Sequence, residues 1–133
     1  MNLLNYYQIK FEIFLKNLEK KNIIKLPNNL NALKIELTPK NQKGDFACNA
    51  AMFLSKINNS NSIDFANFLK EKILQNFPEI SSIEIAKPGF INLTFNINFW
   101  NESLYKIIKL KKKYGATDYN KKKINIEFVS ANP

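Results

Sequence analysis

Near the start of the chain, apolar residues recur at three- and four-residue spacing: Leu3, Leu4, Tyr7, Phe11, Phe14, Leu15 and Leu18. Lys10, Lys16 and Lys20 lie largely off that stripe, so the pattern predicts an amphipathic helix over residues 2–21. Lys20, Lys21 and the Pro27-Asn28-Asn29 segment end it and turn the chain. In Ala32–Thr38, Leu33, Ile35 and Leu37 alternate with Lys34, Glu36 and Thr38, the pattern of a half-buried strand. Pro39–Lys43 is a basic, polar loop leading to Gly44.

The stretch Gly44–Lys56 is expected to organise the rest. Gly44 suits a tight turn, and Asp45 is placed to cap a helix behind it, where a carboxylate accepts orphan N–H groups at the positive end of the dipole. Phe46, Ala47, Ala50, Phe53, Leu54 and Ile57 then form one apolar helical face. The small Ala47, Ala50 and Ala51 would let this helix approach a sheet closely. Asn49 lies within one turn of the face and needs a hydrogen-bond partner if buried.

Beyond the polar Asn58–Ser62 loop, Ser62 or Asp64 can cap a helix running to about Phe77, with Phe65, Phe68, Leu69, Ile73 and Phe77 inward and Pro78 as its stop. Ser81–Ala86 reads as a short strand with Ile83 and Ile85 inward, followed by a Pro88-Gly89 turn. Phe90–Ile97 alternates most clearly: Ile91, Leu93, Phe95 and Ile97 on one face, Phe90, Asn92, Thr94 and Asn96 on the other. Residues 98–114 return to helical spacing through Trp100, Leu104, Ile107 and Ile108, closing on lysines and Gly115. Ala116–Lys123 reads as a linker, and Ile124–Val129 begins a strand with nothing after it to pair with, as if cut from something longer. The fold class is therefore α+β: an antiparallel sheet of three to four strands packed with about four helices. Residues 1–115 form one domain, and 116–133 a linker plus the first strand of a second.

Composition narrows the chemistry. At 133 residues and 45% hydrophobic content the chain can build one ordinary core. No apolar run approaches the ~18 residues of a membrane span, and the start is no secretory signal. Cys48 is the single cysteine, which excludes a disulfide framework and a thiolate metal cluster and makes a reducing, cytoplasmic setting the expectation. There is no histidine, so the commonest general base and metal ligand are missing. The net charge is +9 and all twenty basic residues are lysine. A phosphate-bearing partner fits that charge; so does the compositional bias of a Lys-, Asn-, Ile- and Phe-rich chain. Without arginine there is no bidentate guanidinium to read a guanine edge.

The residues that could carry recognition lie on the Phe90 strand. If its aliphatic side faces the core, Phe90 and Asn92 share the outer face. An exposed aromatic beside an amide is a means of holding an unpaired base, by stacking plus edge hydrogen bonds. Helices on both faces, or a bulge at Pro88-Gly89, would make Phe90 ordinary core instead.

Three motifs carry a family resemblance. KINIEFVSANP resembles the segment that enters the catalytic domain of arginyl-tRNA synthetases and leads into their HIGH-type ATP-binding signature. GDFACNAAMFLSK resembles that family's GD-(aromatic)-A-x-N-x-A-(apolar)-x-L-(small)-K helix, and KPGFIN is similar to its A-x-P-G-F-I-N element. The three stand in family order from about residue 33 to the end. The resemblance implies the N-terminal additional domain of a class I arginine–tRNA ligase plus the first strand of its nucleotide-binding fold. Such a domain contacts the tRNA at its D-loop corner.

Carried over by position, Phe90 packs on a D-loop base, Asn92 is its polar neighbour, and Lys87, where some members carry an amide, suits phosphate contact. Glu127, Ser130 and Asn132 match positions that help form the arginine pocket, where a carboxylate and fixed acceptors suit a guanidinium or α-amino group. The implied partners are an arginine-specific tRNA and, for the full-length enzyme, L-arginine and ATP with Mg; no membrane is involved and the parent is a monomer. The fragment itself is expected to bind no cofactor, to contain no catalytic residue and no metal site, and to be inactive alone. A free-standing nonspecific RNA-binding module and a scaffold domain binding a protein through its first helix stand as alternatives.

Overall fold

A computed structural model describes residues 2–113. The chain runs α1 (Leu3–Lys20), β1 (Ile35–Leu37), β2 (Phe46–Cys48), α2 (Ala50–Leu54), a short 3-10 turn, α3 (Ser62–Asn76), β3 (Ile80–Ala86), β4 (Phe90–Phe95) and α4 (Ile97–Leu110), then a second 3-10 turn. The sheet is antiparallel throughout, in the order β1-β2-β4-β3. The α+β class and the antiparallel sheet are as the sequence predicts.

The first helix forms as its stripe requires. Asn2 caps it, accepting from Leu4 N–H at 3.0 Å, and Tyr7, Phe11, Phe14, Leu15 and Leu18 are buried. They meet the sheet face carrying Phe46, Cys48, Ile83, Ile91, Leu93 and Phe95, with Ala50, Ala51, Leu54, Phe65, Leu69 and Ile73 closing one continuous core. Tyr7 sits edge-on to Phe46 and Phe95 at 5.8 and 4.8 Å, and Phe95 stacks on Phe99 at 4.4 Å, which ties the start of α4 to the same core.

The central stretch is not one helix. Phe46–Cys48 is a strand inserted between β1 and β4, and the helix begins only at Ala50. All three strand residues are buried, on both faces of the sheet. A strand covered on both sides shows a continuous apolar run instead of alternation, and that run blends into the helical spacing behind it. Asp45 accordingly caps nothing: its Oδ2 accepts from Phe95 N–H at 2.8 Å and its own N–H donates to Leu93 O at 2.7 Å, clamping the start of β2 to β4. Asn49 has the partners it needs, accepting from Lys34 N–H at 2.8 Å and donating to Ala32 O at 2.9 Å, so it ties the approach of β1 to the turn into α2.

Other boundaries move for local reasons. The cap of α3 is Asn61, neither Ser62 nor Asp64: its side chain accepts from Asp64 N–H at 2.9 Å and its amide reaches back to the Asp64 carboxylate. The first strand shrinks to Ile35–Leu37, and Leu37, at the end of an edge strand, is exposed. The Phe90 strand stops at Phe95, because Asn96 accepts from Phe99 N–H at 2.9 Å and opens α4. Ile97 is thus an exposed helical residue. That helix ends at Leu110, earlier than 114, with the next residue, Lys111, at a positive φ of +46° and its N–H donating back to Ile107 O and Ile108 O. Leu104 and Ile108 of the predicted stripe are exposed; Phe99 of α4 meets Tyr7 of α1 edge-on at 5.8 Å, and Ser103 and Ile107 line the cleft beside α1. Gly115, the linker 116–123 and the strand Ile124–Val129 lie outside the described residues.

Candidate nucleic-acid interface

The register of β4 decides which side chains face away from the helices. Ile91 and Leu93 pair with Cys48 and Phe46 on the core side. Side chains alternate along a strand, so Phe90, Asn92 and Thr94 share the opposite face with their partners Ala86, Glu84 and Ser82 on β3 and Ala47 on β2. The predicted grouping of Phe90 with Asn92 is what the sheet presents. Phe90 is half-buried, at the end of β4 beside the turn that carries the exposed Lys87. The turn is pinned by Gly89 N–H to Ala86 O at 2.9 Å. Gly89 is also pressed against the start of α3, where a Cβ would come within 2.8 Å of Ser62 Cβ, so glycine is required.

Asn92 is not the open amide that the alternation suggests. It is 2% exposed. The loop between β1 and β2 crosses this part of the face: Asn92 Nδ2 donates to Gln42 Oε1 at 2.9 Å, and Lys43 Nζ lies 3.7 Å from Glu84 Oε1. Gly44, with φ +119°, makes the crossing possible, because a Cβ there would meet Asn92 Cβ at 3.0 Å and Leu93 O at 3.3 Å. Asn92 Oδ1 and Thr38 Oγ1, which flank Gly44, are buried without a hydrogen-bond partner among the described residues. Burial of Asn92 follows from the conformation of a loop whose sequence says only that it is polar and basic. Gln42 itself is exposed. No pattern in the sequence singles it out; only its bond to Asn92 places it on the Phe90 face.

A second concave site lies between α1 and α4, a cleft of about 270 Å³ that includes Tyr6, Tyr7, Lys10, Glu79, Phe99 and Lys106. Three of its polar groups, Tyr7, Lys10 and Glu79, are spent on one another. Glu79 Oε1 accepts from Tyr7 Oη at 2.9 Å and from Lys10 Nζ at 2.7 Å, while Lys10 also lies over the Tyr6, Tyr7 and Phe77 rings. Burial pushes the Glu79 carboxyl up, but the bonds from Lys10, its own backbone and Tyr7 outweigh that and hold it below the ordinary carboxylate range. Burial, then the bond to Glu79, pushes the Tyr7 phenol well above its usual value. The set is a structural clamp between α1 and the start of β3.

Among the described residues no group of three or more His, Cys, Asp and Glu is placed to hold a metal ion, and no helix is long and apolar enough to cross a membrane. Glu127, Ser130 and Asn132 lie outside the described residues.

The sequence matches the profile of the family described as "Arginyl tRNA synthetase N terminal domain" over residues 12–95, which takes in the whole sheet. The chain belongs to that family. Among curated relatives, the arginine–tRNA ligase of Pelagibacter ubique is 42% identical over 134 aligned residues, covering 100% of this chain and 23% of the relative. The enzyme of the same name from Ehrlichia ruminantium is 44% identical over 91 residues, 68% of this chain and 16% of the relative. That of Parvibaculum lavamentivorans is 32% identical across 100% of this chain and 23% of its own length. As an arginyl-tRNA synthetase N-terminal domain, the chain thus spans about a quarter of the relatives it matches along its full length.

Proposed function

We propose that this domain grips transfer RNA for an arginine–tRNA ligase, the parent enzyme that joins L-arginine to its tRNA with ATP. The contact is at the D-loop corner: an unpaired base stacks on Phe90, and Lys87 meets the phosphate backbone. The observation that carries this reading is the register of β4, which puts the Phe90 ring on the face opposite the helices, next to the exposed Lys87. A half-buried ring held from behind by a sheet is a stacking platform, and lysine in the adjoining turn adds point charge. In the longer protein Glu127, Ser130 and Asn132 would contribute to the arginine pocket, with residues 1–115 as the tRNA-binding unit and 116–133 as the entry to the catalytic domain. A monomeric, cytoplasmic enzyme fits this reading. The chain alone should catalyse no arginine-dependent pyrophosphate exchange.

The deciding experiment uses the full 133-residue chain and an arginine-accepting tRNA. Phe90→Ala should weaken binding by about 1–3 kcal/mol, the range for loss of base–aromatic stacking, and should leave the fold largely intact. Phe95→Ala, inside the core, should cost about 3–5 kcal/mol of folding stability. Unchanged affinity in a stable Phe90→Ala protein would dismiss the stacking platform.

A further inference from the structure

We infer that the outer face of α4 is a docking surface for the folded body that residues 124–133 enter, the part of the parent ligase that follows this domain, and that the contact fixes how the Phe90 sheet is aimed at the tRNA. This rests on the reading of the chain as the front of a longer arginine–tRNA ligase and gives α4 a role which that reading leaves open. No residue of α4 is buried, although the helix is apolar on two sides. One line, Phe99, Ile107 and Leu110, borders the cleft beside α1. The other, Ile97, Leu104 and Ile108, falls within about 40° on a wheel of 3.6 residues per turn, about 120° round from the first. These three are 69%, 56% and 59% exposed, and no charged residue stands in their line. A second apolar line, on a helix whose first already faces its own domain, marks a contact with something else.

The tether says what covers it. Leu110 is joined to Ile124 by residues 111–123, which span no more than about 50 Å even at a full extension of roughly 3.6 Å per residue. Whatever Ile124–Val129 builds into is therefore held beside α4, at an effective concentration on the order of millimolar for a short link. This chain covers 23% of the Pelagibacter relative, so most of such a protein is available as the partner. A second copy fits less well. Ile97 to Ile108 is a strip about 16 Å long and no wider than the ~10 Å helix, too small for the roughly 1,000 Å² buried between separate molecules in a stable interface. A tethered partner needs far less area. At its other end α4 is firmly attached: it follows β4 directly, Asn96 caps it by accepting from Phe99 N–H at 2.9 Å, and Phe99 stacks on Phe95 at 4.4 Å. Docking α4 thus sets the direction of β4, the strand that carries Phe90.

The test compares amide hydrogen exchange in α4 between the 133-residue chain and the full-length protein of the same gene, each as wild type and as the double variant Leu104→Gln/Ile108→Gln. In the full-length wild type, exchange across residues 104–110 should slow about tenfold or more relative to the chain alone, and the double variant should lose that gain. The same variant should leave the melting temperature and tRNA affinity of the 133-residue chain unchanged, because the stripe touches nothing there. In the full-length enzyme it should raise the KM for tRNA severalfold. Equal exchange in the two wild-type proteins overturns the inference, as does a gain in protection that the variant keeps, or a gene that ends at Pro133. Protection in the isolated chain that grows with protein concentration makes a second copy the occupant and overturns it too. A lower melting temperature of the variant chain makes the stripe part of the domain's own packing, with the same result. An unchanged KM beside the expected exchange overturns the aiming role. The tRNA reading is judged separately: a full-length protein that does not charge tRNA with arginine, or unchanged tRNA affinity in Phe90→Ala, removes that reading, while the exchange comparison still decides the docking.

Discussion

The Asp45 carboxylate accepts the backbone N–H of Phe95 at 2.8 Å, joining positions fifty residues apart. With Asp45 N–H on Leu93 O, it fastens the start of β2 to β4 and so fixes the register of the strand that carries Phe90 and Asn92. Asp45→Ala leaves a part-buried N–H without its charged acceptor and should cost about 1–3 kcal/mol in urea unfolding, with an unchanged m-value. Asp45→Asn keeps an oxygen acceptor and should lose less. A wild-type midpoint for Asp45→Ala would contradict the clamp.

Gly44→Ala tests the other half of the same corner. At φ +119° an L residue is strained, and the added Cβ would press on Asn92 Cβ at 3.0 Å and Leu93 O at 3.3 Å. A loss of about 1–3 kcal/mol is expected from backbone strain alone. Because the loop must also lift, amide exchange at Gln42 and Lys43 should quicken more than exchange in α3. Equal protection in both places would show that the loop does not depend on Gly44.

The Tyr7–Glu79–Lys10 clamp makes stability depend on pH at both ends. Glu79 has its carboxyl pKa lowered in the fold, so its contribution is present above the unfolded value of about 4.3 and is lost as pH falls below it. Tyr7 is raised, so its contribution is complete below the unfolded value of about 10 and declines above it. Glu79→Gln should flatten the acid limb and lower stability at pH 7 by about 1 kcal/mol, a modest figure because the Lys10 side chain is 34% exposed. An unaltered acid limb in Glu79→Gln would place the acid sensitivity elsewhere.

Cys48 lies in the middle of the sheet, fully buried, and burial pushes its thiol up to about 12. At pH 8 a thiol reagent should modify it only as fast as the domain opens, and the labelling rate should rise with urea along the unfolding curve. Fast labelling of the native protein would mean that β2 is not held between β1 and β4.

Much of this was legible along the chain because it depends on local periodicity. The stripe from Tyr7 to Leu18 specifies α1, and the alternation from Phe90 to Phe95 specifies β4 and puts Phe90 with Asn92 on one face. The family, too, was legible in three short motifs. What failed to show was whatever depends on contacts between distant residues. Phe46–Cys48 became a strand because two neighbours supply ladder partners and both its faces are covered, and neither fact leaves a periodic mark in three apolar residues. Asn92 became a buried amide, and Gln42 the exposed one, because a glycine conformation folds a polar loop across the sheet. Side-chain alternation decides which face a residue takes; only the packed chain decides what lies over that face.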